Sequence, residues 1–210
     1  MKGLLIKDLL VLKKTGVIFV VLTGLYLVMN VFMDTDMGPM LTFVCGLLAI
    51  STFAYDEQAK WDACALSMPL TKRDMVRAKY ALALILGFIG AVLGSVVGIG
   101  RGLILGLMDW QGFLVSAGIA VCASFLFNSL TIPMLYKFGA EKSRLIMIAC
   151  YALPLVGISL LLNSLENTPG GAARIQALMD LAAWLLPLLT LAALALSYRI
   201  SLVIFRKKDV

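Results

Sequence analysis

Between Asp56 and Lys79 the chain carries five basic and four acidic side chains: Asp56, Glu57, Lys60, Asp62, Lys72, Arg73, Asp74, Arg77 and Lys79. This stretch, 56–80, is the longest interval without an apolar run able to span a membrane. It is therefore the part best suited to meeting a soluble partner. Residues 57–67 are long enough for about three helical turns. There Trp61, Cys64, Ala65 and Leu66 stand among Asp56, Glu57, Lys60 and Asp62. A short amphipathic helix with an exposed aromatic suits docking into a groove on a soluble protein. It suits equally well a position on the lipid headgroups, with Trp61 as an interfacial anchor. Spacing alone leaves both open.

Bond-making chemistry finds little to work with. The chain has no histidine, which removes His-based triads, His-ligated zinc and a haem axial histidine together. Cys45, Cys64, Cys122 and Cys150 include no C-x-x-C pair, and three lie in apolar runs, so they read as small buried hydrophobes rather than disulfides or metal ligands. No pair of mid-span aspartates and no nucleophile with a nearby base is present, so an intramembrane enzyme has weak support. Gly98-x-Gly100-x-Gly102 has no strand before it and is not a dinucleotide fingerprint.

The elements that hold the polar stretch are apolar. Of 210 residues, 61% are hydrophobic and 14% charged, with a mean hydropathy of +0.99; a soluble domain carries roughly 25% charged residues. The composition predicts an all-α integral membrane protein forming a single transmembrane domain over 1–210. Six transmembrane helices are expected at about 15–33, 38–55, 80–100, 112–136, 145–164 and 178–203. A short basic loop at 137–144 and a flexible link at 166–176 separate the later ones. The first apolar run is too long for a cleavable signal and lacks a small-residue cleavage site, so it reads as a retained anchor. Residues 1–14 make a passable amphipathic helix on the bilayer surface, with Leu4, Leu5, Leu9, Leu10 and Leu12 against Lys2, Lys7, Asp8, Lys13 and Lys14. The alternative is a plain basic flank that only sets orientation. Thr71 and Asp74 form a capping-box-like start for a helix that continues into span 3.

Sixteen of the 18 basic residues fall on one face of this arrangement. The positive-inside rule makes that face cytoplasmic, giving an N-in, C-in topology. The net charge of +6 is thus explained by membrane topology, and no nucleic-acid partner is expected. In span 3, Gly90, Gly94, Gly98 and Gly102 recur every fourth residue and predict a flat helix-packing face. General looseness of the helix is the alternative.

Three groups of residues carry a family resemblance: the N-terminal M-K-G-L-L-x-K-D-L; Lys60-Trp61-Asp62; and Ser67-Met68-Pro69-Leu70-Thr71-Lys72-Arg73-Asp74-Met75-Val76, leading to Ala78-Lys79-Tyr80. With these the chain resembles the membrane subunits of bacterial ABC exporters of the type 2 permease family. It resembles in particular the branch exporting amphipathic peptides such as phenol-soluble modulins. These motifs lie in the first 80 residues, and the second half matches in span count and hydrophobicity. The resemblance implies a permease in the bacterial cytoplasmic membrane. It implies that 56–79 is a cytoplasmic segment carrying a coupling helix, with Asp56, Glu57, Lys60, Trp61, Asp62 and Leu66 as ATPase-docking residues. It makes 1–14 the interfacial helix. The partners it implies are two copies of an ATP-binding subunit, a second permease protomer (identical or paralogous), membrane lipid, and an amphipathic peptide or lipid-like cargo. The chain has no G-x-x-x-x-G-K-[ST], so no cofactor is expected on it, and ATP and Mg would sit on the separate subunit. A non-transporting scaffold or sensor that recruits a cytoplasmic partner through 56–80 is the competing reading.

Overall fold

The computed structural model describes residues 3–13, 21, 23–25, 38–67, 71–106, 110–166 and 171–207, almost all of them helical. Helix α1 covers 3–13. It is followed by α2 (Gly38–Gln58), α3 (Trp61–Leu66), α4 (Lys72–Leu105), α5 (Trp110–Glu166) and α6 (Gly171–Lys207). Helix α2 packs on α4 and α5, α5 packs on α6, and α4 touches both α5 and α6.

Four helical stretches among the described residues are long and apolar enough to cross a membrane: Met40–Gln58, Lys72–Leu103, Trp110–Ser143 and Trp184–Lys207. The expected first span, 15–33, lies outside the described residues except for 21 and 23–25, which are helical. The expected fifth span, 145–164, is helical backbone within α5.

Local chemistry explains where the helices start and break. Thr71 caps α4: its hydroxyl accepts from the Asp74 amide at 3.2 Å, and the Asp74 carboxylate accepts from the Thr71 amide at 3.4 Å. The sequence places the end of span 3 near Gly100, but α4 continues through Arg101 to Leu105. It stops at Gly106, whose φ of 63° is left-handed and whose N–H reaches the Gly102 carbonyl. The basic loop expected at 137–144 shrinks to one residue, Gly139, at φ 77° and ψ 175° inside α5. That backbone region belongs almost only to glycine. The short helix expected over 57–67 is also smaller than predicted. Helix α2 absorbs Asp56 and Glu57 and runs to Gln58, and Lys60 then takes a left-handed conformation (φ 48°), so that α3 spans only Trp61–Leu66.

A buried core draws the bundle together near the end where α2 finishes and α4 begins. Leu12, Ala49, Ala65, Val76, Leu82, Ile132, Tyr136 and Phe205 meet there from six helices. Tyr136 stacks edge-on with Phe53 at 5.2 Å and tilts against Phe205 at 5.0 Å.

Proline creates one polar feature of this core. Pro133 has no N–H to give the carbonyl four residues earlier. That carbonyl belongs to Ser129, and the Ser197 hydroxyl of α6 donates to it. Having spent its proton there, Ser197 accepts from the Tyr80 hydroxyl at 2.5 Å, and Tyr80 accepts from Ser201 at 2.9 Å. The hydroxyl chain thus ties α4, α5 and α6 at a carbonyl the helix itself leaves open.

Candidate functional site

Helix α1 presents Leu4, Asp8 and Leu12 to the protein, spaced by four, while Ile6, Leu9 and Leu10 are exposed. A carboxylate on the inward stripe of a helix needs a cation, because burying it alone costs several kcal/mol. Two cations supply it. Lys79 Nζ of α4 donates to Asp8 Oδ1 at 3.1 Å and to Thr52 Oγ1 at 3.0 Å, and pairs with Asp56 Oδ2 at 2.6 Å. Lys7 Nζ donates to Asp56 Oδ1 at 2.5 Å and pairs with Asp8 Oδ1 at 2.9 Å. Two lysines and two aspartates therefore alternate, and no like charges are nearest neighbours. The group joins α1, the end of α2 and the start of α4.

Aromatic faces cover both ammonium groups. Lys79 Nζ lies 5.0 Å from the Phe53 ring and Lys7 Nζ 4.6 Å from the Trp61 ring. Trp61 is the first residue of α3, so this contact fixes the short helix to α1. Next to Asp56, the Glu57 carboxylate accepts from the Ala140 amide, just after the Gly139 break in α5. A freed amide at a helix start is thereby capped by a side chain from another helix. A Cβ at Gly139 would collide with that same carboxylate.

Of the residues expected to dock a partner, Asp56, Glu57, Trp61 and Asp62 line one small cavity of about 60 Å³ with Lys7, Asp8, Lys79 and Tyr136. A volume of that size holds a few water molecules and no peptide. Lys60 is exposed at the turn before α3. Leu66 closes α3, and its side chain lies outside the described residues. Among the described residues no group of three or more Cys, Asp or Glu could hold a metal ion.

The glycine face of α4 divides by position. Gly90 lies against α2: a Cβ there would strike Cys45, and Thr42 Oγ1 donates to the Gly90 carbonyl at 3.2 Å. Gly94 and Gly98 are buried and Gly102 half-buried. Gly94 borders an apolar cavity of about 340 Å³, together with Thr42, Ser95, Phe113, Gly118 and Cys122.

Sequence reasoning did not single out Lys7, Asp8, Thr52, Lys79 or Gly139 as a group. Asp8 had a usable signal, since it stands at spacing four between Leu4 and Leu12 and breaks the inward stripe. Gly46 and Gly87 were also missed. A Cβ at the first would strike Ser124, and one at the second would strike Phe125.

A family model described as ABC-2 family transporter protein matches residues 3–206. No curated protein and no solved structure matches the chain.

Proposed function

The chain belongs to the ABC-2 family of transporter proteins, and on that premise we propose that it is the permease of an ATP-driven exporter whose 56–67 segment receives the stroke of the ATP-binding subunit. Membership of this family makes it a multi-pass membrane component of an ABC transporter and implies an ATP-binding partner subunit. It also suits transport better than catalysis. ATP and Mg would belong to that partner.

The observation that carries the reading is the attachment of the segment on both sides. Asp56 is paired with Lys7 and Lys79, and Trp61 lies under Lys7. A push on α3 would therefore reach α1 through Trp61 and Lys7, and α4 through Asp56 and Lys79. It would reach α5 at its break through Glu57 and Ala140. Coupling needs such a stiff path from the docking element to the spans, since a slack loop would absorb the motion. Lys60 and the exposed side of the α3 turn would meet the subunit, and Trp61 would transmit rather than insert.

The fuller arrangement we propose has six spans with both termini cytoplasmic, in a bacterial cytoplasmic membrane. Two such permeases would stand above two ATP-binding subunits. The cargo would be amphipathic peptide or lipid-like, because the apolar cavity beside Gly94 offers only Thr42 and Ser95 as hydroxyls.

Co-expression with a cassette ATPase encoded beside this chain tests the reading. A complex whose ATP hydrolysis rises with amphipathic peptide supports it. In that complex Trp61→Ala should keep the subunits together while lowering peptide-stimulated hydrolysis. If the chain associates with no cassette ATPase, it is instead a scaffold that recruits another partner.

A further inference from the structure

Two contacts set α4 against α6. Lys72 Nζ donates to the Arg206 carbonyl at 3.4 Å, and Arg77 Nε donates to Tyr198 Oη at 3.1 Å. Position 72 opposes 206 and position 77 opposes 198, so the helices run antiparallel here. The start of α4 lies along the last turns of α6. The antiparallel pairing puts Arg73 and Arg77 of α4 at the same end of the bundle as Arg199, Arg206 and Lys207 of α6.

All five of these basic side chains are exposed. Arg73, Arg199, Arg206 and Lys207 pair with no carboxylate among the described residues. The acid nearest in sequence, Asp74, is engaged by the Thr71 hydroxyl at 2.6 Å. Arg199 and Arg206 lie seven apart on one stripe of α6, as Arg73 and Arg77 lie four apart on α4. Like charges gathered this way repel unless an anion joins them.

The surroundings indicate which anion. Ile200 and Val203 are exposed between the α6 arginines. The exposed residues then turn apolar, with Leu84 and Ile85 on α4 and Leu196 on α6. Bases interleaved with outward apolar side chains, at the edge of an apolar belt, stand at headgroup level. The guanidinium fork matches two oxygens of a phosphate.

We propose that the α4–α6 basic face binds the phosphodiester headgroup of an anionic phospholipid in the leaflet it adjoins. The inference goes beyond transport and holds whether or not an ATP-binding subunit docks at α3. The test uses the full chain in nanodiscs of phosphatidylcholine with and without phosphatidylglycerol, reading retained lipid by native mass spectrometry. Wild type should retain phosphatidylglycerol preferentially, and more weakly as salt rises. The triple variant Arg73→Gln, Arg199→Gln, Arg206→Gln should lose roughly 10- to 100-fold of that preference. Arg199→Gln and Arg206→Gln alone should each lose part of it, which guards against misfolding of the triple variant. No preference in wild type, or an equal preference in the triple variant, overturns the proposal. Loss of ATP-binding subunit association with the lipid preference intact would assign the face to that protein and overturn it too.

Discussion

Lys79 reaches Asp8 across 71 positions of the chain, and the 3.1 Å contact closes a ring of alternating charge with Lys7 and Asp56. Asp8 is 2% exposed and the Lys79 side chain 9%. Each is buried among ion partners, Asp8 with Lys7 and Lys79, and Lys79 with Asp8 and Asp56.

Removing one partner should therefore cost more than removing both. Lys79→Met leaves Asp8 buried with only Lys7, and should destabilise the protein by about 3–5 kcal/mol, as for other broken buried pairs. Adding Asp8→Asn should restore a large part of that loss. Denaturation in detergent across the four proteins of the cycle measures it; additive losses would show that the two side chains do not interact.

At the break in α5, Gly139→Ala meets two penalties. The backbone is at φ 77° and the new Cβ collides with Glu57. A loss of about 1–3 kcal/mol is expected from the backbone alone. Glu57→Ala should also destabilise by about 0.5–2 kcal/mol, as for a lost helix cap. Glu57→Gln, which keeps an acceptor for the Ala140 amide, should cost less. Thermal midpoints in one detergent rank the three.

The carbonyl freed by Pro133 gives a sharper test. Ser197→Ala leaves the Ser129 oxygen without its donor, at an expected cost of about 1–3 kcal/mol. Pro133→Ala supplies an amide that can bond the same oxygen within α5. In that background Ser197→Ala should cost less than half as much. An unchanged cost would mean that Ser197 matters through Tyr80 instead.

Two glycines of α4 should respond in opposite directions. Gly90→Ala forces its new methyl against Cys45 and the Thr42 carbonyl, a misfit of about 1–3 kcal/mol. Gly100 has nothing within 4 Å of a Cβ, so Gly100→Ala should stabilise by about 0.4–1 kcal/mol through the unfolded chain. Paired melting curves decide it, and equal effects would remove the distinction.

Much of this was legible in the residues. Apolar length marks α2 and α4, because a helix that satisfies its own backbone is what a long apolar run can form in lipid. Thr71 and Asp74 mark the start of α4, because a capping box needs only residues three apart. Lys60 was not legible as a break: lysine has no preference for φ above zero, yet it takes φ 48° between α2 and α3. Gly139 offered a signal too weak to place a one-residue break, since glycine also occurs inside helices.

Sequence by itself determined the class of protein, the helical course of most of the described chain and the concentration of charge at 56–80, for each depends on composition or on neighbours within one turn. Tertiary structure alone decided which charges face each other. Lys7 and Asp8 are neighbours, but nothing along the chain marks either for Asp56 or Lys79, and only the packing of α1, α2 and α4 brings the four charges within 3.1 Å contacts. Coulomb attraction is steep in distance and strongest away from water, so a pairing of this kind exists only once the helices have enclosed it.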